Sequence, residues 1–157
     1  MGVVKNERRF LAGMGECHVD RYEPEDGEEE LLKMKAGGVS IVATYVFWIH
    51  HEEKKGEWDF TGCRNLRGFL EACKKADMPV WLRIGPWAHG ECRNGGFPDW
   101  LAQDKTMQGR TNDPAYPKLV ETFYQKVVDQ AAGMRCKDGG PTLGIPLETG
   151  YGYCGRP

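Results

Sequence analysis

The sequence has no long apolar run, and this absence excludes a helix that crosses a membrane. A membrane-spanning helix needs about 20 consecutive apolar residues, and no stretch approaches that length. Residues 1–9 carry Lys5, Arg8 and Arg9, but neither a sufficient apolar segment nor a small-residue cleavage pattern follows them. We therefore expect a cytoplasmic protein that does not associate with membranes.

A block of basic residues is also lacking. Lysine and arginine together number 21, aspartate and glutamate 23, and the formal net charge is -2. Such a balance provides no electrostatic surface for nucleic acid, so we expect no nucleic-acid partner. The sequence also lacks internal repeats and low-complexity linkers. With 40% hydrophobic residues in 157 positions, it predicts one globular domain over residues 1–157.

The six cysteines include no C-x-x-C pair and no spacing typical of a zinc site. Because no secretion signal is visible, we expect reduced thiols rather than disulfides. The cysteines are Cys17, Cys63, Cys73, Cys92, Cys136 and Cys154.

Short apolar runs alternate with amphipathic stretches, which indicates a parallel β/α protein. The clearest strand is residues 39–48, because it is β-branched and nearly all apolar, as in a strand buried on both faces. Residues 80–84 predict a second clear strand. Residues 14–19 and 142–147 complete a predicted set of four parallel strands.

Helical spacing separates these strands. One helix is predicted to end at Gly37-Gly38, and another is expected to begin near Asp113-Pro114. Two apolar stripes at helical spacing are expected to be buried: Leu66, Phe69, Leu70 and Cys73 in one helix, and Leu119, Val120, Phe123, Val127 and Val128 in the other.

Four β/α units make half of a (β/α)8 barrel, which needs about 250 residues. The fold class is therefore predicted as α/β, a partial (β/α)8 TIM barrel. Half a barrel leaves two strand edges open, so we expect the chain to self-associate.

In β/α barrels the chemistry lies at the carboxyl ends of the strands. The segments after the predicted strands, residues 48–53, 85–100 and 148–153, combine aromatic rings with carboxylates and amides. Rings stack on the C–H faces of sugars, and charged or amide groups bond their hydroxyls. This composition is suggestive of a carbohydrate site without being specific for one.

At these segments the sequence resembles glycoside hydrolase family 35, the β-galactosidases. The most specific segment is R-I-G-P-W-A-H-G-E-C-R-N-G-G-F-P-D-W-L, residues 83–101. Five further segments match in order: G-E-C-H-V-D-R-Y (15–22), L-L-K-M-K-A-G-G (31–38), T-Y-V-F-W-I-H-H-E (44–52), R-T-N-D-P-A-Y (110–116) and K-D-G-G-P-T-L-G-I-P-L-E (137–148). The resemblance covers nearly the whole chain as the N-terminal half of the catalytic barrel.

The resemblance implies hydrolysis of terminal β-linked galactose by a retaining mechanism, with a galactose-containing carbohydrate as partner and no cofactor or metal. Tyr45 matches a tyrosine that bonds the sugar, and Glu91 matches a glutamate that binds sugar hydroxyls. His89 and Gly90 lie in the segment that lines the same subsite.

The two catalytic carboxylates of a retaining enzyme do not have clear counterparts. The family's acid/base motif E-N-E-Y-G matches residues 148–152, where Thr149 replaces the asparagine and Gly150 the acid. Glu148 is a poor substitute, because two positions along a strand move a carboxyl by about 6–7 Å. The family's nucleophile, at the end of strand seven, would fall beyond Pro157. We therefore expect an inactive chain, or alternatively a non-catalytic carbohydrate-binding or structural fragment.

Simpler interpretations compete at several positions. Tyr45 could be a core tyrosine, and Glu91 a solvated loop carboxylate. The indoles of Trp48, Trp87 and Trp100 are expected to pack in the wall and core rather than stack on sugar. The run from His50 to Glu52 suggests a metal, but adjacent residues on an extended segment face apart. A zinc site could be considered at His89 with Cys92 or at Cys92 with Cys154, but the spacing is not one of the usual structural patterns. A cysteine nucleophile has no identifiable His or Asn partner.

Overall fold

A computed structural model gives the fold of residues 3–5, 8–10, 12–21, 23–107, 109–111 and 113–147. Four parallel strands form its main sheet in the order β3-β4-β5-β6. They are β3 (Met14–Glu16), β4 (Ile41–Tyr45), β5 (Val80–Arg83) and β6 (Thr142–Gly144). Sequential order with parallel pairing is the arrangement expected of successive β/α units.

A short antiparallel hairpin precedes this sheet. It pairs β1 (Val3–Lys5) with β2 (Arg8–Phe10), and the pattern of the sequence did not predict it.

Three longer helices and two four-residue helices connect or flank the strands. They are α1 (Gly27–Ala36), α2 (Trp48–His51), α3 (Leu66–Lys75), α4 (Asp99–Ala102) and α5 (Ala115–Gln130). Single 3-10 turns occupy Val19–Arg21, Pro24–Asp26, Gly62–Arg64, Arg93–Gly96 and Cys136–Asp138. No helix in the described residues combines the length and apolar character that crossing a membrane requires.

The helix boundaries follow local signals in the sequence. The α1 helix ends before Gly37, and Gly38 has a φ of 92°, which glycine adopts at little cost. Asn65 caps α3 by accepting a hydrogen bond from the Gly68 N–H at 2.8 Å. At the start of α5, the Asp113 carboxylate accepts from the Ala115 N–H at 3.0 Å, which confirms the predicted capping aspartate.

The main core lies between one face of the sheet and the helices. Val42, Val80 and Leu82 point into it, and α3 contributes the stripe that the spacing predicted. Phe123 and Val127 are buried, whereas Val128 is exposed, so that part of the predicted stripe was wrong. Val128 lies one position past Val127, which turns it about 100° away from the core side of α5.

Strand lengths differ from the prediction at the carboxyl ends. The run 39–48 predicted one long strand, but β4 ends at Tyr45 and a helical turn begins at Trp48. The indole of Trp48 stacks on Phe123, with ring centroids 4.8 Å apart and 6° between the planes. Packing in the core therefore turns the chain away from the sheet and directs the following residues over its edge.

Candidate functional site

The carboxyl ends of β3, β4 and β5 meet at one edge of the sheet. Glu16 pairs with Ala43, and Tyr45 pairs with Arg83, so the connections after the three strands leave the sheet side by side. They bring together the 3-10 turn Val19–Arg21, the start of α2 and the loop of residues 85–98. The candidate site is the group of side chains at this edge.

Tyr45 lies at the end of β4 in a shell of polar and aromatic groups. Its side chain is buried, and the Arg83 guanidinium lies 5.0 Å from its ring centroid. Arg83 also forms an ion pair with Glu16. The backbone N–H of Tyr45 donates to His18 Nδ1 at 3.3 Å. Burial, together with the charge of Arg21, lowers the pKa of His18, which favours the neutral ring that can accept this bond.

The backbone of the loop after β5 packs against the rings of Tyr45, at the end of β4, and of Phe47, two residues later. A Cβ on Gly90 would lie 2.7 Å from Phe47 Cζ and 3.2 Å from Tyr45 Cδ2, so only glycine allows this approach. Phe47 stacks beside Tyr45, with centroids 5.6 Å apart. The structure therefore places the Gly90 backbone against the rings of Tyr45 and Phe47.

Glu91 follows Gly90 and is exposed, with a φ of 49°. This left-handed conformation is uncommon for a residue with a side chain, and such strain is often found at functional positions. His89 is also exposed, and its ring lies against Trp87 with centroids 6.2 Å apart.

Glu91 is one of the residues that line an open groove of about 620 Å³. Basic side chains on its walls include Arg21 and Arg93, and acidic ones include Glu53 and Asp99. Arg93 donates to Asp99 at 2.8 Å, and Arg64 bonds both Glu53 and Asp59. The charges of the groove are largely paired, so it offers hydrogen-bonding groups rather than a strong field of one sign.

Asp20 and His50 form a carboxylate–imidazole pair beside this groove. Asp20 Oδ2 lies 2.5 Å from His50 Nδ1, and the aspartate side chain is only 6% exposed. Burial alone would raise the pKa of Asp20, but the hydrogen bond and charge of His50 outweigh it and lower the pKa. Asp20 Oδ1 is buried with no hydrogen-bond partner in the structure.

The run from His50 to Glu52 lies on a helical turn rather than on the extended segment assumed from the sequence. His50 points to Asp20, whereas His51 is buried and bonds the carbonyl oxygen of Asp59 at 2.9 Å. Glu52 is buried, and its carboxylate accepts from Trp48 Nε1 at 2.6 Å and from the Gly56 N–H at 2.7 Å. The three side chains thus diverge, and among the described residues no group of three or more potential metal ligands converges.

The thiols in the described part of the chain are free. Burial raises the pKa of Cys92, and the charge of Asp20 adds to this effect. A protonated thiol is a weak nucleophile, so Cys92 does not have the properties of a catalytic cysteine.

Trp48, Trp87 and Trp100 pack in or against the main core. The Trp100 Nε1 donates to the Glu52 carbonyl oxygen at 3.0 Å. These indoles therefore pack in the core and against it, as the packing interpretation expected.

The structure places the Gly90 backbone against Tyr45, whereas the next residue, Glu91, lines the groove together with Arg21 and His50. His89 is exposed on the same loop. Glu148, Thr149 and Gly150, the candidate acid/base positions, lie outside the described residues. Sequence reasoning did not single out Asp20 and Arg21, and it considered His50 only within a candidate segment and as a possible metal ligand. Their signal was available, because Asp20 and Arg21 follow a predicted strand end, where barrel chemistry is expected.

A second cavity, of about 350 Å³, lies at the opposite edge of the sheet. Its lining includes Met78, Pro79 and Pro141, which precede β5 and β6. The amino-terminal face of β/α barrels serves stability rather than chemistry, so this cavity is not the candidate site.

Comparisons with known proteins identify the family and the fold. The family model described as "Glycosyl hydrolases family 35" matches residues 2–156. Among the similar curated proteins, "Beta-galactosidase 17" of Arabidopsis thaliana is 39% identical over 153 residues, which are 97% of this chain and 22% of that protein. "Beta-galactosidase 6" of Oryza sativa subsp. japonica is 37% identical, with 96% of this chain and 18% of that protein covered.

A human protein, "Beta-galactosidase-1-like protein 2", is 34% identical, with 88% of this chain and 22% of that protein covered. The chain thus spans about a fifth of the length of the curated relatives it matches. Among solved structures, the exo-beta-1,4-mannosidase Op5Man5 from Opitutaceae bacterium strain TAV5 matches with a TM-score of 0.66 and 17% identity. It covers 90% of this chain and 25% of the mannosidase chain, and it supports the partial-barrel fold.

Proposed function

Because this chain belongs to glycosyl hydrolases family 35, we propose that it forms one wall of a β-galactoside-binding site and that, as a separate polypeptide, it does not catalyse hydrolysis. The relatives named above are β-galactosidases, which supports terminal β-linked galactose as the sugar. The single observation that supports the proposal is the close approach of the Gly90 backbone to the Tyr45 and Phe47 rings, immediately before the exposed Glu91.

The arrangement of these groups suits a hexose. The Glu91 carboxylate is free to accept hydrogen bonds from sugar hydroxyls, and charge-assisted bonds of this kind are the stronger ones. Tyr45 would place a ring edge and a hydroxyl against the sugar, and His89 and Gly90 would line the same subsite. In the family's acid/base motif the asparagine contacts the 2-hydroxyl of the sugar, and the Thr149 side chain would take its place.

The lack of turnover follows from Gly150, which stands at the family's acid/base position and cannot donate a proton. Glu148 is the remaining carboxylate of that motif and is assigned no catalytic role. The chain would therefore bind the sugar without protonating the leaving oxygen.

The test is a titration of the 157-residue chain with methyl β-galactoside, in which heteronuclear NMR monitors the backbone amide signals. Methyl β-glucoside, which differs in one hydroxyl orientation, is the ligand control. We expect the galactoside to shift the amide signals of Gly90 and Glu91 and the glucoside to shift them less. Glu91→Gln should weaken binding about tenfold or more, since it removes a charge-assisted bond.

Glu71→Gln is the matched control variant, because Glu71 is an exposed glutamate on α3 that pairs with Arg67, outside the site. Equal shifts with both sugars, or equal losses in Glu91→Gln and Glu71→Gln, would contradict the proposal.

A further inference from the structure

The backbone of Glu91 is held in a conformation that it would not adopt alone. A φ of 49° is unfavourable for a residue with a Cβ, because the left-handed region brings the Cβ too close to the following carbonyl oxygen. Asn94 in the same loop also has a positive φ, of 55°. Such a loop keeps its shape only if other interactions fix it.

Part of the restraint comes from within the loop. The Ala88 N–H donates to the Gly95 carbonyl oxygen at 2.7 Å, and the Gly95 N–H donates to the Cys92 carbonyl oxygen at 3.1 Å. These bonds close the loop at its base. They do not contact the Gly90-Glu91 peptide itself.

The bond to that peptide comes from another strand connection. Arg21, in the turn after β3, donates from Nη2 to the carbonyl oxygen of Gly90. Its guanidinium also lies over the Phe47 ring, 5.4 Å from the centroid. The Arg21 guanidinium thus contacts both the Phe47 ring, against which Gly90 packs, and the Gly90 carbonyl group, which immediately precedes Glu91.

Arg21 is itself supported. Its N–H donates to the His18 carbonyl oxygen at 3.0 Å, and the Val19 N–H donates to Thr44 Oγ1 at 3.3 Å. The preceding residue, Asp20, is bonded to His50. The turn is therefore attached to β4 and α2, and it provides a fixed base for the arginine side chain.

We infer that Arg21 is a positioning residue, which sets the orientation of Glu91 by fixing the Gly90 carbonyl group against Phe47. It acts through the backbone and need not contact the sugar. The inference rests on the proposed binding of a β-galactoside at Glu91, and it names the residue on which that binding depends.

The test uses the full chain with Arg21→Ala, and with free guanidinium ion as a chemical substitute for the missing group. In the absence of sugar, we expect the alanine variant to shift and broaden the amide signals of Glu91. Its affinity for methyl β-galactoside should fall about tenfold, as for the loss of one charge-assisted hydrogen bond. Millimolar guanidinium chloride, far below denaturing concentrations, should restore both properties.

Three further variants sharpen the result. Arg21→Leu fills the space and should not respond to guanidinium. Arg21→Lys keeps one donor, should retain part of the affinity, and replaces the alanine variant if that one does not fold. Arg135→Ala removes an exposed arginine that bonds Asp138 outside the site, and it should change neither the Glu91 signal nor the affinity.

Failure of this inference is distinguishable from failure of the proposed function. If the unmodified chain binds the galactoside and Arg21→Ala binds it equally well, Arg21 does not position Glu91. Unchanged Glu91 signals in sugar-free Arg21→Ala would overturn the inference in the same way. If the unmodified chain does not bind the galactoside, the proposed function fails, whereas the sugar-free signals and their restoration still report on Arg21.

Discussion

The imidazole of His51 donates from Nδ1 to the main-chain carbonyl oxygen of Asp59, with 2.9 Å between the two atoms. The ring is buried and stacks on Phe60 at a centroid distance of 4.4 Å. A carbonyl oxygen can only accept, so the proton of the neutral ring lies on Nδ1. A second proton, on Nε2, would make the ring cationic in a place where water cannot solvate the charge.

Stability should therefore fall in mild acid. Burial lowers the pKa of His51 to about 4 in the folded protein, against about 6.5 in the unfolded chain. The unfolded state binds more protons between these values, so the free energy of unfolding decreases as the pH falls from about 6.5 to about 4. The loss reaches about 3 kcal/mol at most.

The measurement is urea unfolding at about pH 7 and about pH 5. His51→Gln should be less stable at neutral pH and should lose most of this pH dependence. His89→Gln, at an exposed histidine, should retain it. Equal stability of the unmodified chain at both pH values would refute the assignment.

The pair of Asp20 and His50 should be coupled more strongly than a surface ion pair. A double-mutant cycle with Asp20→Asn and His50→Gln near neutral pH should give a coupling of about 1–3 kcal/mol, because the carboxylate is buried. The exposed pair Arg93 and Asp99 is the control, with about 0–1 kcal/mol expected. The Asp20 contribution should be lost as the pH falls through its lowered pKa. Equal couplings for the two pairs would show that burial adds nothing.

Glu52→Gln should destabilise the fold although it preserves the shape of the side chain. Both carboxylate oxygens of Glu52 accept from N–H groups, those of Trp48 and Gly56. An amide would place its NH2 group opposite one of these donors, at a cost of about 1–3 kcal/mol. Unfolding in urea measures the difference, and Glu57→Gln on the surface should be nearly neutral. A stable Glu52→Gln variant would mean that the carboxylate is not required there.

We also expect the chain to self-associate at micromolar concentration. Within the described residues, β3 and β6 are the outer strands of the four-stranded sheet, and Met14 on β3 is 47% exposed. Unpaired edges and exposed apolar side chains favour association. Met14→Lys should reduce it, whereas Leu32→Lys, equally exposed on α1, should have less effect. Sedimentation velocity provides the measurement, and a stable monomer would count against the expectation.

The fold could largely be predicted from sequence where a segment's own pattern determines its structure. Strand β4 has the apolar, β-branched character of a strand buried on both faces, and α3 has an unbroken apolar stripe. The end of β4 could not be predicted, because Trp48 turns away to pack on Phe123 from a distant helix. The pairing of β1 with β2 was missed because each of these strands is only three residues long, too short to show a pattern.

The site divides in the same way. Tyr45, Gly90 and Glu91 were proposed from a family resemblance that covers nearly the whole chain and is most specific at residues 83–101. The contacts of Asp20 with His50 and of Arg21 with Gly90 depend on the register of β3, β4 and β5, which places the connections after these strands side by side. No local pattern encodes that register, so these partners became visible only in three dimensions.

The 157-residue chain should release no nitrophenol from a nitrophenyl β-galactoside above background. General-acid assistance contributes about 10²–10⁴-fold, and glycine at position 150 provides none. Thr149→Asn with Gly150→Glu restores only the acid/base motif, and a retaining reaction also needs a nucleophilic carboxylate about 5–5.5 Å from the acid. The double variant alone should therefore remain inactive, whereas the same double variant joined to the C-terminal part of a family member should turn over. Galactose release by the unmodified chain, abolished by Glu148→Gln, would show instead that Glu148 carries the proton.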